Sequence, residues 1–328
     1  MPLATLDVNI VLLHNYFTPS MRTSSKTLSA VALATTLLCG AASTAHAGLF
    51  TPTKLTEAQT RYPIVLVHGL MGFDDILGLD YFYQIPADLR KNGATVLVAK
   101  VSAVNDNDVR GEQLLKQLKE WQAAKGYTKF NLIGHSQGGP TARYAAGIAP
   151  GLIASVTTVG SPHTIPVGGR ADAIGTLLNN YVGVVSFLGN LVDWASGHKD
   201  LPVDEAALKA WSENTAAFNA RFPAGMPATP CASGPALASN GVAYYSATGN
   251  VAKTNAWDPA DLLMAAGDVP SDGLVGVCSA AWGQVLRNNY PWNHFDEVNQ
   301  VLGLLGKGAP DPVAFYRQQA ARLKASGL

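Results

Sequence analysis

Five residues near the middle of the chain, Gly134-His135-Ser136-Gln137-Gly138, set a serine between small flanks. The apolar run Phe130-Asn131-Leu132-Ile133 precedes them, and Gly139-Pro140-Thr141-Ala142-Arg143-Tyr144-Ala145-Ala146 follows with a composition that can run as a helix. A strand that turns sharply into a helix lifts the central side chain to the top of a sheet. Glycine at both flanks permits that turn, because bulkier residues would meet the neighbouring strand and helix. A hydroxyl exposed in this way becomes a nucleophile once a base can take its proton and an acid orients the base. The bland alternative is a Gly-rich turn with a bystander serine.

On such a turn the acid and then the base follow the serine along the chain, and this order thins the seven histidines. His14 and His46 lie near the N-terminus, His68 and His135 precede or adjoin the serine, and His163 and His198 follow with few strands between. His294, late in the chain in Tyr290-Pro291-Trp292-Asn293-His294-Phe295, is the candidate base, against a packing histidine in an aromatic loop. The acid is expected upstream of it. Asp272 in Ser271-Asp272-Gly273-Leu274-Val275-Gly276-Val277 sits in a turn before an apolar run, and Asp268 is second by position. Charge developing on a substrate oxygen needs two backbone N–H groups. Gln137, after the serine, offers one, and Leu70 in His68-Gly69-Leu70-Met71-Gly72 offers the other.

The elements that must hold these residues read as strands alternating with helices. Residues 62–69, 95–101, 130–133, 155–159 and 242–246 are β-rich. Residues 108–124, 202–221 and 311–325 carry helical periodicity or composition. The pattern implies an α/β chain with a mostly parallel sheet covered on both faces. No linker or repeat divides it, so one domain is expected over residues 48–328. The stretch 173–192 lacks charge and is long enough to span a bilayer. Asn179, Asn180 and Asn190 are costly in hydrocarbon, and the stretch lies between the serine and its partners. It is read as a helical cap over the site, at about residues 170–200, against an ordinary buried helix.

Lys+Arg and Asp+Glu both number 23, so no nucleic-acid surface or polybasic anchor is implied. Charged residues make up only 14% of the chain, which suits contact with an apolar phase. No G-x-G-x-x-G or P-loop pattern follows a strand, which argues against nucleotide chemistry. Met21-Arg22-Thr23-Ser24-Ser25-Lys26, the apolar stretch 27–44 and Ala45-His46-Ala47 read as a signal peptide, residues 1–47, removed on export. Residues 1–20 add nothing to it, which makes Met21 a candidate true start. Cys39 leaves with that leader. Cys231 and Cys278 then read as a disulfide, worth about 4 kcal/mol on the chain-entropy model.

The chain resembles the foldase-dependent true lipases of Pseudomonas and Burkholderia. The likeness rests on residues 62–69 with Gly72-Phe73-Asp74, on residues 134–141, on residues 272–275 and on residues 293–300. Tyr316-Arg317-Gln318 and Arg322-Leu323-Lys324 fit as well, while Leu70-Met71 reverses the usual order and the region after His163 departs. The resemblance implies an α/β-hydrolase fold with a helical lid, Ser136 as nucleophile, Asp272 as acid and His294 as base. It implies one structural Ca2+ held by the carboxylates of Asp258 and Asp296 and the carbonyls of Gln300 and Leu304. It also implies secretion through the periplasm with a dedicated foldase as partner, and triacylglycerol at an oil–water interface as substrate. An esterase of short, soluble or polymeric esters is the alternative on the same scaffold, and a binding protein without chemistry is the rival of another class.

Overall fold

The structure, a computed structural model, describes residues 55–72, 75–76, 79–165, 197, 201–264 and 269–328. The chain divides into Met1–Thr51 and Pro52–Leu328, and all of the described residues fall in the second unit. The expected signal peptide, Asp268 and, apart from Gly197, the expected cap lie outside the described residues.

Six strands form one sheet: β1 (Ile64–Val67), β4 (Val96–Val98), β5 (Phe130–His135), β6 (Ile153–Val159), β7 (Ala243–Gly249) and β8 (Gln284–Tyr290). Their order is β4-β1-β5-β6-β7-β8, and each neighbouring pair is parallel. The short strands β2 (Asp75–Ile76) and β3 (Leu79–Asp80) form a separate antiparallel pair. β1, β5, β6 and β7 are buried along their whole length, as strands covered on both faces must be.

The side-chain period of two sorts those strands onto two cores. Val65, Val67 and Leu132 pack with Leu114, Leu118, Ala142 and Ala146, from α2 (Asn107–Lys125) and α3 (Gly138–Ile148). Ile64, Leu66 and Ile133 pack on the other face with Ile85, Leu89, Phe315 and Tyr316, from α1 (Ile85–Lys91) and α6 (Pro312–Ala325). Burying each of these aliphatic side chains contributes roughly 1.5–3 kcal/mol before chain entropy is counted.

The helix expected over residues 202–221 is two, α4 (Glu205–Glu213) and α5 (Thr215–Arg221). Asn214 between them leaves the helical region at φ −136°, and its side chain caps the second helix through the Ala217 amide. Two elements have no clear sequence signal. Helix α1 is only 7 residues long. The edge strand β8, Gln-Val-Leu-Arg-Asn-Asn-Tyr, is polar and partly exposed. Cys231 and Cys278 are disulfide-bonded across a separation of 47 residues.

Candidate active site

Ser136 sits between β5 and α3 at φ +53°, a left-handed conformation that costs a serine about 1–3 kcal/mol. The surroundings enforce it. A Cβ on Gly138 would meet the Val67 carbonyl oxygen at 2.1 Å, and one on Gly134 would meet the Gly138 carbonyl oxygen at 2.3 Å. Only glycine lets strand and helix approach this closely. The Ser136 amide donates to the Val159 carbonyl oxygen at 2.9 Å, which locks the turn onto β6.

Gln137 caps α3, so its amide stands at the positive end of an 11-residue helix. The loop bearing Leu70 is pinned from three sides. Arg110, fully buried, donates to the carbonyls of His68 at 2.6 Å, Gly69 at 3.3 Å and Ser102. The Met71 amide donates to the Ala103 carbonyl oxygen at 2.7 Å, and the Gly69 amide donates to Tyr81 Oη at 3.3 Å. Arg110 gives no signal in the sequence, where it reads as one helical charge among others.

Asp272 lies in the long connection between β7 and β8, and His294 follows β8. The His294 Nδ1 to Asp272 Oδ2 distance is 2.7 Å. The His294 amide donates to the Asp272 carbonyl at 2.9 Å. Asp272 Oδ1 accepts from the amides of Leu274 at 2.8 Å and Val275 at 2.7 Å. Both side chains are buried, and the carboxylate is satisfied at both oxygens. The His294 ring lies 4.5 Å from that of His135, the residue before the serine. Among the hydrogen bonds of the described residues, none joins Ser136 Oγ to His294.

Glu297, three residues past the histidine, carries no functional signal in the sequence. It is fully buried. Its Oε1 accepts from the Gly249 amide at 2.6 Å and Thr248 Oγ1 at 3.1 Å. Its Oε2 lies 3.3 Å from His135 Nε2 and 4.0 Å from His294 Nδ1. Burial, and next the Asp272 charge, push its pKa well above the usual carboxylate range. Burial thus favours the neutral form of Glu297. His135, His294 and Glu297 bring ligating atoms within 4.8 Å of one another, and Glu297 Oε2 has no hydrogen-bond partner.

Of the four residues expected around calcium, Asp258 and Asp296 converge on Asn293. Asp296 Oδ2 accepts the Asn293 amide at 3.1 Å, and Asp258 Oδ2 lies 3.4 Å from Asn293 Nδ2. Asp258 also caps a short 3-10 turn, its Oδ1 accepting from the Ala260 amide at 2.8 Å. Asp296 is fully buried, and its Oδ1 has no hydrogen-bond partner. Burial, and then the charges of Asp258 and Asp261, raise its pKa to about 7. Asp261 is satisfied by the Thr254 and Asn255 amides and Asn293 Nδ2, each at 2.9 Å. Gln300 and Leu304 lie just beyond the 3-10 turn Asp296–Val298. Buried carboxylates with an orphan oxygen, beside carbonyl-bearing turns, fit a hard divalent cation.

A family profile for the α/β hydrolase fold matches residues 62–284. A triacylglycerol lipase of Vibrio cholerae is 45% identical, covering 82% of this chain and 90% of its own. Triacylglycerol lipases of Pseudomonas fragi and Burkholderia plantarii are 40% and 39% identical; each covers 83% of this chain, with 99% and 88% of their own lengths. The crystal structure of Staphylococcus hyicus lipase shares the fold, with a TM-score of 0.56 at 17% identity over 84% of this chain and 98% of that one. Among the described residues, no helix is long and apolar enough to cross a membrane. The chain thus belongs to the α/β-hydrolase fold family and, within it, to the bacterial triacylglycerol lipases.

Proposed function

We propose that this enzyme hydrolyses the carboxylic esters of triacylglycerols through an acyl-enzyme on Ser136. The observation that carries the reading is the His294–Asp272 pair at 2.7 Å, its imidazole 4.5 Å from the ring of His135, the residue before a serine held at φ +53° on the strand-to-helix turn. As Ser136 Oγ attacks the ester carbonyl, His294 Nε2 takes its proton, and Asp272 stabilises the imidazolium. The Leu70 and Gln137 amides hold the tetrahedral oxyanion. His294 then protonates the leaving alcohol, and water, activated by the same base, releases the fatty acid. The Ser136–His294 hydrogen bond closes in the substrate complex, where such bonds commonly tighten.

Asp258, Asp296, Gln300 and Leu304 would hold one Ca2+, supplying charge compensation to a loop that begins two residues from His294. The orphan Asp296 oxygen supports this assignment. Export rests on the reading of residues 1–47, and assistance by a dedicated foldase rests on the family resemblance. The test is hydrolysis of a long-chain triglyceride emulsion and of a dissolved short-chain ester, each with calcium and with a chelator. Calcium-sensitive activity on the emulsion is expected. Activity confined to the dissolved ester would retain the triad and replace the lipase by an esterase.

A further inference from the structure

A line of polar contacts runs behind the site and takes no part in moving the acyl group. The Gly69 amide lies 3.3 Å from Tyr81 Oη. That oxygen lies 2.7 Å from His135 Nδ1. His135 Nε2 in turn lies 3.0 Å from the carbonyl oxygen of His294. The partners are 12, 54 and 159 residues apart in sequence, so three remote segments meet here.

Elementary chemistry fixes the direction of each bond. An amide only donates, so Tyr81 Oη accepts from Gly69. A carbonyl only accepts, so His135 Nε2 carries the proton and donates to His294. Burial, and next the proximity of His294, hold the His135 ring neutral. Its Nδ1 then carries no proton and accepts from the Tyr81 hydroxyl. Tyr81 Oη also fills the gap between loop and elbow: a Cβ on Gly69 would lie 2.9 Å from it and 2.6 Å from the Ser136 Cβ.

We propose that Tyr81 and His135 are positioning residues that keep the oxyanion loop and the base loop in one register through the Gly69–Tyr81–His135–His294 bonds. One end of the line is the residue before the Leu70 amide, and the other is the backbone of the base. An oxyanion donor and a base are useful only when aligned on the same tetrahedral carbon. Relaxing the line lets either drift without unfolding the protein. The inference rests on the roles given above to Leu70 and His294.

The experiment is a double-mutant cycle with Tyr81→Phe and His135→Gln on a dissolved short-chain ester, with kcat, KM and thermal midpoint for each protein. Tyr81→Phe keeps the ring and its packing. The expected result is a fall in kcat of about tenfold or more with KM within about twofold, the signature of alignment lost in the transition state. The double variant should be no slower than the slower single, because either change breaks the same line. Wild-type kcat in Tyr81→Phe, or losses that multiply in the double variant, would overturn the proposal. Should His135→Gln fail to fold, Tyr81→Phe alone decides by its kcat. Ser136→Ala separates the two levels: activity surviving there refutes the triad, whereas an inactive Ser136→Ala beside a fully active Tyr81→Phe refutes only the positioning line.

Discussion

The two halves of the site are built by different physics. Residues 130–148 hold Ser136 by backbone geometry: a fully buried strand, a left-handed serine and two glycines with no room for a Cβ. Residues 254–264 and 269–304 hold Asp272 and His294 through side-chain bonds around Asn293, Asp272 and Glu297 and through several buried carboxyl groups. The first half depends on shape, which pH and ions barely touch. The second depends on charge and protonation, which both can alter. The nucleophile should therefore be the constant of this enzyme, and its base the part that conditions can disturb.

The largest effect on the loop half should come from Asp272→Asn, which keeps the shape but removes the charge that orients the imidazole. A loss of kcat of about 10³–10⁴-fold is expected in steady-state assays, and a loss under about tenfold would mean that another group orients His294. On the elbow half, Gly138→Ala drives a Cβ into the Val67 carbonyl at 2.1 Å. A cost of about 3 kcal/mol or more is expected in denaturant unfolding, equally with and without calcium.

The pH dependence separates the halves more finely. In the chelated protein Asp296 titrates at about 7 when folded, well above its ordinary carboxylate value. Between about pH 4 and pH 7 the folded form then binds a proton that the unfolded form has released, so stability falls as pH rises through that window. Calcium should thus raise the thermal midpoint more at about pH 8 than at about pH 5; an equal rise at both would remove Asp296 from the ion's ligands. The smallest effect should be that of Glu297→Gln. Burial favours the neutral carboxyl, which glutamine matches in charge and size, so kcat should stay within about threefold. Its raised pKa means that wild-type stability is lost as pH rises through the folded value, and the glutamine variant should lack that part of the decline.

The same division decides how much the sequence could tell. Ser136 and its glycines are adjacent in the chain, and their chemistry is readable as a word. The covered parallel sheet is readable from apolar runs, because strands buried on both faces carry little else. Asp272 and His294 follow from order along the chain, with Asp268 open until family likeness favours Asp272. Arg110, Tyr81 and Glu297 escape a reading of the sequence, since their partners lie 42, 54 and 49 residues away and nothing local marks them. The break at Asn214 is hidden because helix-forming residues flank it on both sides, and β8 is hidden because a half-exposed edge strand needs few apolar residues.

The most direct test of the central claim is peptide mapping after reaction with a serine-directed fluorophosphonate, on the wild type and on Ser136→Ala. The account predicts one adduct, on Ser136, formed in the wild type and absent from the variant. An adduct on another residue, or none in an enzyme that still hydrolyses esters, would contradict it.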